Sequence, residues 1–367
     1  MRFLLDEAQR DFDRMLDRML SAAGTAGTVR AWAAGDQRAG RALWERLAEA
    51  GVFALAVPEA YGGAGLLPVE LAVAFVQLGR HAVPGPVVET VAAGVLLGSL
   101  ADADARAAGP AKDWLPGIAS GRTVATLCIG RPRAADGVAF GGGPYALDAD
   151  RADAVLTVGG DALDTVRLSG APGGMRIDGR RDGRPDGHPD GQPSLDPARR
   201  LAVPHAGDEL PVPGAAVRDA AGRAAEWAAF ATAAQAVGTG LALVERTVAY
   251  VKQRTQFGVP IGSFQAVKHQ LADALLGLEF ARPLLYGAAV ALAGGGGASA
   301  GSTGAAVAAA KAAAGDAAYA AARTALQLHG AIGYTAENDL SLWILKARAL
   351  RSAWGTPAQC RARVLSG

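Results

Sequence analysis

Arg254-Thr255-Gln256-Phe257-Gly258-Val259-Pro260-Ile261-Gly262-Ser263-Phe264-Gln265 interrupts two long helical patterns. A cation, a polar pair and an aromatic ring fall in one tight turn, and a second turn follows at once and ends in Phe-Gln. That layout puts a guanidinium, amide donors and flat rings at one helix–helix corner, which suits a diphosphate joined to a ring system. Taken alone, the same turn also fits an ordinary polar loop between helices. Upstream, Leu241, Val244, Val248 and Val251 recur at helical spacing and run into the turn. Downstream, the pattern predicts a helix from about 264 to 292 that stops at Gly294-Gly295-Gly296-Gly297. Further helices are expected over about 303–329 and 337–353. Four long helices with short connections predict an antiparallel bundle over 218–367.

The rest of the chain divides by pattern. Residues 1–120 read as a helical domain: Leu43, Trp44, Leu47, Ala50 and Val52 form an apolar stripe broken by Gly51. Helices are expected from about 68 to 78 and, after Pro84-Gly85-Pro86, from about 87 to 100. Residues 121–217 read as a small β domain, with strands at 123–129, 154–158, 165–168, 201–203 and 210–212 separated by Gly, Pro and Asp. Within it, 178–193 alternates acids and bases, lacks apolar side chains and is expected to be a disordered excursion. The fold class is therefore α+β, mainly α: helical domain, β domain, helical bundle.

With 367 residues, half of them hydrophobic, the chain can bury a large core. A net charge of +1 points to neither nucleic acid nor an anionic membrane. Two cysteines far apart, without Cys/His ligand spacing, exclude a zinc-ligand motif. Asp6 and Glu7 cut short the N-terminal apolar run, so no signal peptide is expected. The Ala-rich stretches near 225–245 and 305–322 come closest to a membrane span but carry charges and helical periodicity. A cytoplasmic protein is expected.

Four segments in this order carry a family resemblance. They are Leu47-Ala48-Glu49-Ala50-Gly51-Val52 with Val57-Pro58-Glu59-Ala60-Tyr61-Gly62-Gly63-Ala64-Gly65; Leu78-Gly79-Arg80; the 254–265 turn; and Gln327-Leu328-His329-Gly330-Ala331-Ile332-Gly333-Tyr334-Thr335. Over nearly its full length the chain resembles the acyl-CoA dehydrogenase family. In that family FAD lies between the β domain and the bundle, and its adenosine half reaches a neighbouring subunit. The resemblance implies that Arg254 and Gln256 face the FAD diphosphate, a planar guanidinium fork being matched to phosphate oxygens. It implies that Phe257 packs beside the cofactor and that Phe264 and Gln265 border its adenine end. Gln327, Leu328, Gly330 and Ala331 would approach the cofactor of a neighbouring chain, and Thr356 would add a further contact. For His329 the alternative is packing or a backbone hydrogen bond. Ser263 and His269 form no triad motif.

The family's reaction needs a carboxylate to remove the proton α to a thioester. Many members carry it in a Tyr-Glu-Gly-Thr motif; here that segment reads Ala353-Trp354-Gly355-Thr356, with Trp354 at the Glu position. Other members place it at the start of the first bundle helix, where this chain has Ala228 followed by Ala229. Glu226, two residues earlier, sits about 200° around a helix and reads better as an exposed first-turn residue favoured by the helix dipole. The β-domain flavin motif is also altered, to Ile129-Gly130-Arg131-Pro132-Arg133-Ala134-Ala135-Asp136. No catalytic residue is therefore assigned.

Some actinobacterial-type members work as two different subunits in an α₂β₂ assembly, and this chain resembles the subunit that completes the adenosine end. The reading is an auxiliary, non-catalytic subunit acting with a same-family partner on an acyl thioester, with a homo-oligomer as the other assembly. Two alternatives stand beside it: a self-sufficient acyl-CoA or acyl-carrier-protein dehydrogenase with an unusual base, and a flavin-free scaffold member.

Overall fold

The computed structural model describes residues 4–130, 143–160, 162–170, 192–204, 207–294, 300–335 and 337–366. In chain order it runs α1 (Glu7–Ala22), α2 (Thr25–Ala33), α3 (Arg38–Glu49), β1 (Ala56–Val57), β2 (Gly65–Leu66), α4 (Pro68–Arg80), α5 (Val87–Ala103) and α6 (Ala108–Ala119). The strand-rich stretch follows: β3 (Ala125–Ile129), β4 (Ala146–Leu147), β5 (Ala154–Gly159), β6 (Thr165–Gly170), β7 (Gln192–Pro193), β8 (Arg200–Ala202) and β9 (Asp208–Glu209). Then come α7 (Gly214–Gln253), the hairpin β10 (Thr255–Gln256) and β11 (Val259–Pro260), α8 (Gln265–Leu292), α9 (Ala300–His329), α10 (Leu340–Ser352) and α11 (Pro357–Ser366).

The chain forms two compact units that interleave in sequence. One gathers Met1–Val29, Ala72–Val83 and Ala229–Gly367; the other holds Arg30–Leu71 and Pro84–Ala228.

In the first unit, α8 and α9 pack against each other, and α10 and α11 lie on α9. The crossing of α4 and α7 explains two glycines. A Cβ on Gly79 would sit 2.0 Å from the Gln235 carbonyl oxygen, and one on Gly238 would sit 1.8 Å from that of Val76. Backbone meets backbone there, and only glycine permits it. The Leu78-Gly79-Arg80 segment is thus a helix-crossing motif. The Trp343 indole donates to the Arg80 carbonyl at 2.8 Å and Lys346 Nζ to that of Val83 at 3.0 Å, tying α10 to the end of α4.

In the second unit, α5 is apolar on every side and buried along almost its whole length, packing on α6 and β3. A four-stranded sheet runs β3-β5-β6-β9, parallel only between β3 and β5, and a three-stranded sheet runs β4-β8-β7. Cys128, Ala146, Ala149, Ala152, Val155 and Ala202 form a small buried cluster shared by the two sheets.

Three expectations need correction. The strand expected at 210–212 lies at Asp208–Glu209, paired with Arg167 and Leu168. Leu210 still donates to Val166 at 2.9 Å, but Pro211 and Pro213 lack amide donors and end the ladder. Of the 178–193 excursion, 178–191 lie outside the described residues, while Gln192–Pro193 is a strand on β8. Residues 131–136 of the altered β-domain motif also lie outside them. Finally, among the described residues two helices are long and apolar enough to cross a membrane, and the second is α8, not the 305–322 stretch. The apolar window of α7 is 94% buried inside the fold, whereas that of α8 is 28% buried.

Candidate functional site

Three places in the first unit hold the residues singled out by sequence. The first is the corner between α7 and α8. β10 and β11 pair Thr255 with Pro260 and Gln256 with Val259, leaving Phe257-Gly258 as a two-residue hairpin loop. Both loop residues have positive φ, 53° and 80°, as a type I′ turn requires. Phenylalanine in that region is strained by about 1–2 kcal/mol, yet the residue is 93% exposed and so gains almost no burial in return. It meets Phe264 edge-on at 6.3 Å between centroids. Ile261 N–H donates to the Arg254 carbonyl at 2.8 Å, closing the corner and leaving the guanidinium outside it. The Gln256 amide donates to Thr255 O at 2.9 Å. Gln265 opens α8 and is exposed. Ser263 Oγ donates to Pro260 O at 2.7 Å, a turn contact and nothing more.

The second place is a cleft of about 720 Å³ where α9 ends, with Gln327, Gly330 and Ala331 in its wall. Gly330 has φ +64° and turns the chain out of α9, so glycine is needed there for conformation. Leu328 is half-buried and does not line the cleft. His329 is buried: its Nδ1–H donates to Ala325 O at 2.8 Å and its ring stacks on Tyr250 at 4.0 Å. Burial lowers its pKa and keeps the imidazole neutral, which makes it a packing residue. The wall also contains Arg323, Thr324 and Gln270, which the sequence reading missed. Arg323 precedes Gln327 by four residues on α9, so projection around a helix would have found it.

The third place is the end of α10. Trp354 has φ +51° and Gly355 φ +119°. Lys311, 1% exposed, reaches from α9 and donates to the carbonyls of Leu350, Arg351 and Gly355 at 3.1, 3.2 and 3.1 Å. An ammonium with three donors thus caps the helix end and fixes the turn that carries Trp354. Thr356 and Gln359 cap α11 reciprocally: Thr356 N–H donates to Gln359 Oε1 at 2.9 Å and Gln359 N–H to Thr356 Oγ1 at 3.3 Å.

At the other candidate base position, Ala228 and Ala229 are fully buried. The reading of Glu226 as a first-turn residue is corrected: α7 begins at Gly214, so Glu226 lies about three turns inside and half-buried, beyond the reach of the N-terminal dipole. Among the described residues no cluster of His, Cys, Asp or Glu could hold a metal.

Two family models match the chain: the acyl-CoA dehydrogenase N-terminal domain over residues 6–122 and the C-terminal domain over 219–365. The acyl-CoA dehydrogenase IpdE2 of Mycobacterium tuberculosis is 30% identical over 341 residues, covering 92% of this chain and 90% of that protein. The chain belongs to the acyl-CoA dehydrogenase family. This is a family of FAD-dependent oxidoreductases. FadE34 of the same organism is 32% identical over 334 residues, 90% of this chain but 42% of FadE34. Among solved structures, the ChsE4-ChsE5 complex from M. tuberculosis aligns with TM-score 0.78 and 24% identity, covering 100% of this chain and 98% of the other. The Tcur3481-Tcur3483 steroid acyl-CoA dehydrogenase variant aligns with TM-score 0.77 and 23% identity, over 98% and 97%. These two likenesses show the acyl-CoA dehydrogenase fold.

The residues of the corner and cleft fit a dinucleotide. Arg254, Arg323, Gln270, Thr324 and Gln327 make no side-chain hydrogen bond or ion pair among the described residues, so their donors are free for a ligand.

Proposed function

We propose that this chain serves the FAD-linked α,β-dehydrogenation of an acyl thioester as the auxiliary subunit of a same-family pair. In this reading it closes one end of a shared FAD site and supplies no base. The observation that carries it is Trp354. The indole N–H is a donor only, and its nitrogen lone pair is part of the ring, so it accepts no proton at neutral pH. The Lys311 clamp holds this residue in its turn. The other position offers only the buried methyl of Ala228. FAD would supply the acceptor for the hydride lost from the β-carbon; with Trp354 and Ala228 at the two base positions, the α-proton would pass to a carboxylate of another chain.

The residues left to this chain bind and orient. Arg254 and Gln256 face the diphosphate, and Phe257, Phe264 and Gln265 border the rings. Gln327, Gly330 and Ala331 close the adenosine end, while Leu328, outside the cleft wall, packs behind them. Thr356, already engaged in its cap, has the least to offer. The assembly is supported by α8, whose Leu275, Leu276, Phe280 and Leu284 are exposed on a helix of a folded chain. Such a stripe marks an interface, here a subunit interface of a cytoplasmic assembly and not a membrane span. One of the similar structures is the ChsE4-ChsE5 complex, and another carries the paired name Tcur3481-Tcur3483. FadE34 is more than twice as long as the stretch this chain matches, leaving room for a second body of this size.

The test is turnover. The chain purified alone is expected to leave acyl-CoA thioesters unchanged with an electron acceptor present, and the chain co-purified with a same-family partner to oxidise them. Turnover by the chain alone would instead establish the self-sufficient reading.

A further inference from the structure

The cleft at the end of α9 contains one charged side chain, Arg323, and nothing in the motif that drew attention to Gln327 includes it. Ala320, Arg323, Thr324, Gln327, Gly330 and Ala331 follow the three- and four-residue spacing of one helix face, continued by the turn after α9. Gln270 approaches from α8, and Tyr334, 70% exposed, presents a free ring at the same wall. The cavity, about 720 Å³, falls within the range of small-ligand sites. Its chemistry is one guanidinium, two carboxamides, a hydroxyl and an aromatic face, with no carboxylate in the wall. An unopposed guanidinium attracts an anion, and a planar fork matches phosphate oxygens two at a time. An exposed ring beside it offers stacking to a base, which is worth about 1–3 kcal/mol in nucleotide sites.

We infer that Arg323 is a ligand-binding residue: with Tyr334 and Gln270 it holds the nucleoside diphosphate portion of the dinucleotide, as a second phosphate anchor beside Arg254. This rests on the shared-FAD reading above and deepens it. It separates two tasks: the Arg254 corner approaches the diphosphate from the α7–α8 turn, and Arg323 holds the nucleoside end from α9. Arg323 sits on the exposed side of α9, so its replacement leaves the packing of that helix intact.

The test is binding by the assembled protein, measured by fluorescence titration with FAD, FMN and ADP as separate probes. Arg323→Gln is expected to weaken FAD about ten-fold or more, the loss of one charge-assisted contact. Arg323→Lys should recover part of that loss, and the thermal midpoint measured without FAD should not move. ADP alone should bind Arg323→Gln more weakly than the native protein, by about the same factor as FAD. FMN, which lacks the adenylate, should bind both alike. FAD binding by Arg323→Gln equal to that of the native protein overturns the inference while leaving the shared-FAD reading intact. An equal loss for FMN and FAD also overturns it, by placing the arginine at the flavin end. If the native assembly binds neither FAD nor ADP, the shared-site reading fails, and the inference with it.

Discussion

Asp148 shows what a single residue can hide. It is fully buried, adopts φ +50°, and accepts from Arg200 N–H on Oδ1 at 3.2 Å while Oδ2 has no hydrogen-bond partner among the described residues. Burial raises its pKa to about 7, against the pull of the Arg151 guanidinium and the Arg200 amide, with the Asp150 carboxylate adding to the rise. A raised carboxyl pKa favours the protonated form in the folded state. Its contribution to stability is therefore complete below the unfolded value of 3.8 and is lost as pH climbs through about 7. Denaturant unfolding measured from about pH 5 to about pH 8 should show stability falling with pH. Asp148→Asn should flatten that fall, since asparagine keeps the acceptor and tolerates positive φ; a slope unchanged in the variant would assign the dependence elsewhere. In the sequence, Leu147-Asp148 is indistinguishable from turn chemistry, because burial depends on strands that arrive about fifty residues later. Trp354 was legible as a substitution. What fixes it, Lys311, was not, because the carbonyls it caps lie 39 to 44 residues further along the chain.

At the scale of elements, legibility followed locality. The helices flanking 254–265, the stops at Gly51 and Gly294, and the two turns of the corner depend on spacing and turn residues within a few positions, and they stand where the pattern put them. β9 and the first turns of α7 were displaced because proline positions and partner strands, not apolar runs, set them. Arg323 was recoverable from helix geometry once Gln327 had been noticed; Gln270, from another helix, was not. The β10–β11 hairpin adds a prediction of its own. Phe257 is strained and exposed, so its conservative replacement for that conformation is asparagine. Phe257→Asn should raise stability by about 1 kcal/mol and weaken flavin binding by the assembly. A loss of stability would show that the ring is packed in a way its exposure denies.

At the scale of the molecule, the feature that composition could not reveal is the bare side of α8. Leu276 and Phe280 lie four residues apart on one face and are 53% and 73% exposed. The double substitution Leu276→Glu with Phe280→Glu should dissociate the assembly, seen as a fall to the mass of one chain by light scattering. Each chain should keep its helical content; an undiminished mass would move the interface elsewhere. A binding edge without a base has a use only beside another chain. The most direct test is native mass spectrometry of flavin content. No FAD is expected on this chain alone, and FAD is expected to be retained when it is assembled with a same-family partner. One FAD bound per chain in the absence of any partner would contradict that.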